Sequence, residues 1–155
     1  MLSKHWAGAM LLTSLVTAGT SFADEISAKE KYVLYCAGCH GYEGEGGGGG
    51  GGTKPIAAFV PKIGLFLRDS EGRRYLVNTG GVSSAGMTDA ETATVLNYVL
   101  GTFGATSTPK EFTPYTTEEI TAFRKQPVAD PAAMRKQIAD RLKVRGIKLP
   151  AGHWD

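Results

Sequence analysis

Cys36-Ala37-Gly38-Cys39-His40 is the stretch that decides how this chain is read. Two thiols spaced by two residues reach the two vinyl groups on one edge of a porphyrin. The adjoining imidazole is then held beneath the same ring, where it can ligate iron. The run is the attachment pattern of a c-type haem, and it makes Cys36, Cys39 and His40 three bonds to one cofactor. A redox dithiol shares the Cys-X-X-Cys spacing but follows a strand of a βαβ unit, whereas Lys29 to Tyr35 here look helical. A structural zinc needs four ligands, and the chain has two cysteines in all. A simple disulfide leaves His40 without a role.

Upstream of the motif, Lys4, the apolar stretch from Ala7 to Gly19 and then Ser21-Phe22-Ala23 have the form of a secretory signal peptide over residues 1–23, cleaved after Ala23. An uncleaved anchor is the competing reading. The apolar stretch is shorter than the ~20 residues of a spanning helix, and no later segment is long and apolar enough. The mature chain is therefore expected to be exported to the periplasm, with no membrane span. The formal net charge of +2 is unevenly placed: residues 24–104 carry seven Lys/Arg against nine Asp/Glu, and residues 105–155 carry nine against six. A weakly polarised molecule suits docking to a protein. Nucleic acid is not an expected partner, because it calls for a clustered basic face.

Ser27 and Glu30 form a capping-box pattern that opens a helix leading to the cysteines and ending near Gly41. Seven consecutive glycines, residues 46–52, predict a flexible loop. They lack the preceding strand and the lysine of a phosphate-binding loop. Pro55 and Pro61 make Thr53 to Leu67 irregular, and a short helix from Glu71 to Thr79 is expected to stop at Gly80-Gly81. Thr88 and Glu91 repeat the capping box before a helix with Ala93, Leu96, Val99 and Leu100 on one side, closed by Gly101. No strand pattern interrupts residues 24–104, so this segment reads as an all-α haem domain with long loops.

Residues 105–155 read as a helical C-terminal extension. Thr116 and Glu119 give a third capping-box pattern, ahead of a helix carrying Ile120 and Phe123 that Pro127 ends. Asp130 caps a further helix with Pro131 in its first turn. Met134, Ile138 and Leu142 form a narrow stripe on it, flanked by Lys/Arg. That stripe lies on a surface, either the chain's own haem domain or a partner. On the partner reading, truncation after Gly104 leaves the haem spectrum nearly unchanged and weakens electron transfer with the donor.

From Ser27 to Phe103 the chain resembles a small monohaem cytochrome c of the class I type, of the kind that accepts electrons from periplasmic dehydrogenases. The pieces come in that family's order: an aromatic-bearing first helix, the Cys-X-X-Cys-His run, a proline loop, a short helix, Gly86-Met87-Thr88-Asp89-Ala90-Glu91 and a last helix. The resemblance implies Met87 as the second axial ligand, a soft thioether that raises the potential of the iron relative to bis-histidine ligation. It also implies that Tyr32 and Tyr98 pack where the first and last helices cross, with Ala28 where the family usually has glycine. Pro61 would be the residue whose carbonyl accepts the proton of the axial histidine. Thr88 stands where proline often follows the methionine, the glycine run is no family feature, and residues 105–155 lie outside the common domain.

Each candidate has a plainer reading. Met87 can be a gap-filling core methionine, and Pro61 a turn proline. Met134 sits in a helical stripe and reads as packing, His153 as a solvated histidine. Arg73, Arg74 and Tyr75 can bond a haem propionate or be solvated helix residues. The function implied is that of an electron carrier rather than an enzyme, holding one covalent haem c. A periplasmic dehydrogenase is its expected donor, and another cytochrome or a terminal oxidase its acceptor. The alternatives are a haem subunit bound permanently to a dehydrogenase, and a haem enzyme or ligand sensor with an open distal site. The mature chain offers only His40 and His153 as histidines, which leaves the proton chemistry of a peroxidase poorly supplied.

Overall fold

The structure is a computed structural model that describes residues 26–47, 56–104, 106–151 and Trp154. The expected signal peptide, Gly48 to Gly52 of the glycine run, Pro55 and His153 lie outside the described residues. Within them the chain is helical and contains no strand, the all-α architecture expected. Helix α1 (Ala28–Tyr32) starts at a reciprocal Ser27/Glu30 capping box, passes through a π-turn at Val33–Ala37 and ends in the single turn α2 (Gly38–His40). A 3₁₀ turn (Ile63–Arg68) and α3 (Gly72–Asn78) follow. Helix α3 ends at an extended Thr79, just before Gly80-Gly81 as expected, and the two glycines begin a separate turn, α4 (Gly80–Ser83). Helix α5 (Asp89–Thr102) opens on the second capping box and runs past Gly101 to Phe103 as its cap.

α1 packs across α5 through aromatic rings. The Tyr32 ring lies 5.6 Å from that of Tyr98 and 5.0 Å from that of Phe103, and Tyr98 meets Phe103 edge-on at 5.8 Å. These are the positions at which the crossing was expected. Burial pushes the Tyr32 hydroxyl up to about 12, so it stays protonated and donates to the carbonyl of Gly41 at 2.5 Å. That bond ties the start of the helix to the residue that follows His40.

The extension folds back over this domain. Helix α6 (Thr117–Arg124) lies against α5 and α3, and α7 (Pro131–Val144) lies against α3. Thr116 caps α6 as expected, but Glu119 does not close the box. Its carboxylate takes two hydrogen bonds from Arg73, at 2.6 and 2.5 Å. The same guanidinium donates to the Thr113 carbonyl at 2.8 Å and lies 4.0 Å over the Tyr115 ring. Arg73 is thus neither solvated nor set aside for a propionate: it clasps the extension. Arg74 is likewise engaged, with Glu71 and the Gln126 carbonyl. The Met134/Ile138/Leu142 stripe packs on the chain's own haem domain, contrary to the partner reading. Ile138 and Leu142 are 0% exposed and Met134 8%, inside the chain's own core.

A second ion pair holds α7. Arg141 donates twice to the buried Asp69 carboxylate, both at 2.8 Å. Those hydrogen bonds hold the Asp69 carboxyl below its usual 3.8, against the opposing effect of burial. A carboxyl lowered by folding contributes stability above its unfolded value and loses it as the pH falls through the folded one. Asp69→Asn is expected to cost about 1–2 kcal/mol at neutral pH. It should also flatten the fall in melting temperature that wild type shows below about pH 4, as a thermal denaturation series across pH measures.

Candidate haem site

The motif residues sit where the first helical segment ends. Cys36, half-buried, lies in the π-turn, and Cys39 is exposed on the next turn. π-turns inside helices recur at functional sites, and this one was not legible in the sequence. Burial pushes the Cys36 thiol up to about 11, the opposite of the depressed value that makes a redox dithiol reactive. No group of three or more His, Cys, Asp or Glu able to hold a metal ion occurs among the described residues, which removes the zinc reading there.

His40 is held on two sides. Its Nδ1 lies 2.9 Å from the carbonyl of Ala57, and its ring stacks on Phe59 with centroids 4.0 Å apart and planes 18° from parallel. An Nδ1–H donated to a carbonyl fixes the tautomer that leaves Nε2 as the electron-pair donor, the arrangement found behind metal-bound histidines. Burial moves the ring's pKa down, with the Ala57 bond acting the other way, so the neutral ligating form is favoured. The acceptor expected at Pro61 is therefore Ala57: Pro61 is exposed, and the chain reaches His40 four residues earlier.

The loop that carries Ala57 is pinned to the motif by backbone bonds. Gly46 donates to the His40 carbonyl at 2.8 Å, Gly47 to Ile56 at 3.0 Å, and Phe59 to Gly44 at 2.7 Å. Gly44 has φ +70, and a Cβ there would meet the Phe103 ring at 2.8 Å. Only glycine provides both the left-handed turn and the clearance. Gly46 and Gly47, the first two residues of the glycine run, are thus part of an ordered turn behind the histidine.

Met87 is 5% exposed and sits between two fixed backbone elements. Gly86 before it has φ 73, and Thr88 after it is the N-cap of α5. Glu91 completes that cap and is held low by the Thr88 hydrogen bonds first, with further help from Lys31 and the Tyr35 hydroxyl. Tyr35 directly precedes Cys36, so the entrance to α5 and the start of the motif lie side by side. Arg124, which the sequence reading passed over, donates to the Met87 carbonyl at 3.0 Å. No local pattern announces Arg124 or Ala57, since both act across long stretches of chain.

Two unpaired thiols, an imidazole with Nδ1 engaged and a buried thioether form a donor set that fits a covalently attached haem. The comparisons agree with this chemistry. Cytochrome c-552 of Thermus thermophilus is 30% identical to the chain over 156 residues, an alignment that spans 89% of this chain and 97% of that protein. The chain belongs to the cytochrome c family. As a c-type cytochrome it is an electron-transfer protein, and haem c is the cofactor the family implies. The similarity runs over most of residues 105–155 as well, so the extension is shared with that relative. No family model and no solved structure matches the chain. No helix among the described residues is long and apolar enough to cross a membrane.

Proposed function

We propose that the chain is an exported electron carrier of the class I type, with one haem c bound covalently through Cys36 and Cys39 and its iron held between His40 and Met87. The observation that carries this reading is the 2.9 Å contact between His40 Nδ1 and the Ala57 carbonyl, which prepares Nε2 for a metal. When bound, the haem iron supplies a one-electron Fe(II)/Fe(III) couple. The protein's part is to keep both axial donors fixed. Tyr32 anchors Gly41, Phe59 and Ala57 set the imidazole, and Gly86 and Thr88 hold the thioether's backbone. The donor is a periplasmic dehydrogenase, and the acceptor another cytochrome or a terminal oxidase.

The burial of Met87 favours a filled sixth position over the open site of a haem enzyme or sensor. Oxidised wild type is expected to show the weak near-infrared charge-transfer band of a thioether–iron bond. Met87→Ala should abolish the band, lower the reduction potential and let carbon monoxide bind the reduced protein. Met134→Ala should retain the band, because Met134 is a residue of α7 that is buried in the chain's own core. Loss of the band in Met134→Ala, and not in Met87→Ala, would refute the ligand assignment.

A further inference from the structure

We propose that Arg124, from the last turn of α6 in the extension, is the positioning residue that holds Met87 at the iron. The inference rests on Met87 being the axial ligand. Its basis is a three-way clamp. Arg124 Nη2 donates to the Met87 carbonyl at 3.0 Å and to Thr92 Oγ1 at 2.8 Å, while Nη1 donates to Asp89 Oδ1 at 2.5 Å. The other oxygen of Asp89 accepts from the Thr121 hydroxyl of the same helix.

The Met87 carbonyl precedes the N-cap of α5, and the first bond of that helix is made by Thr88. Nothing within α5 supplies it with a donor. A guanidinium does so with a charge-assisted bond, and its planar fork spreads the three bonds over two nitrogens in a fixed geometry, whereas a lysine brings one nitrogen on a flexible stem. The methionine's backbone is thereby tied to the first turn of α5 and to the extension together. Groups of this kind, behind a ligand, tune how firmly it stays on its metal. The extension is then part of the ligand field's scaffold rather than an appendage.

The test uses the full holoprotein with Arg124→Ala, Arg124→Lys, Arg73→Ala and Met87→Ala. Arg73→Ala cuts a different tie of α6, the one to Glu119 and Thr113, and does not touch Met87. Carbon monoxide binds the reduced iron only in the fraction of molecules whose thioether has left, so its apparent affinity scales with that fraction. Arg124→Ala is expected to raise it about tenfold, the factor set by about 1.4 kcal/mol, and to weaken the thioether–iron band in the oxidised protein. Arg124→Lys should move both in the same direction by less, and it keeps the test open if the alanine variant fails to fold. Arg73→Ala should lower the melting temperature and leave carbon monoxide affinity at the wild-type value. Equal gains in affinity from Arg73→Ala and Arg124→Ala would reduce Arg124 to a general fold contact and overturn the proposal, as would no change in either Arg124 variant. Failure of the ligand reading itself looks different: Met87→Ala would then keep the wild-type band.

Discussion

Truncation after Gly104 is expected to unfold the chain, or leave it aggregated, rather than trim it. The extension places Ile120, Ile138, Ala139 and Leu142 at 0% exposure, with Tyr115, Met134 and Trp154 nearly as deep. Trp154 stacks on Phe66 at 4.7 Å, and Phe66 on Tyr75 at 4.8 Å. Burying a large apolar side chain is worth about 1.5–3 kcal/mol, so these contacts together are on the order of 10 kcal/mol. A domain of this size has a net stability of roughly 5–15 kcal/mol. Removing the extension also strips the partners of Arg73, Asn97 and Asp69. Circular dichroism melting of the truncated holoprotein checks this. A soluble protein with the wild-type melting temperature would contradict the intramolecular role of the extension.

Replacing both thiols should have the other large effect. Cys36→Ala with Cys39→Ala leaves His40, Ala57 and Met87 in place, so some haem can still be ligated, but no thioether bonds can form. Haem staining after denaturing electrophoresis is expected to vanish completely in this variant and to persist in wild type. Persistent staining of the double variant would place the covalent attachment elsewhere.

The two capping boxes that hold, Ser27/Glu30 and Thr88/Glu91, were legible because each involves residues three apart and needs no tertiary partner. The Asp130 cap and Pro131 were legible for the same reason. Glu119 shows where local reading ends: the spacing fits a capping box, yet a guanidinium forty-six residues away in sequence competes for its carboxylate and wins. The histidine's acceptor is Ala57, four residues before the expected Pro61. A carbonyl is carried by every residue, so its identity is settled by the path of the loop from Gly44 to Phe59 and not by side-chain type. The short 3₁₀ turn at Ile63–Arg68 fell in a stretch read as irregular, because its buried Ile63, Leu65 and Phe66 follow no helical or strand period. The apolar stripe on α7 was visible, but what covers it depended on the return path of the extension.

The central claim is a haem bonded to this chain through Cys36 and Cys39, and intact-mass measurement of the exported protein under denaturing, reducing conditions tests it most directly. One species is expected, the polypeptide plus the mass of one haem. The bare polypeptide mass, with haem recovered free in the wash, would contradict it.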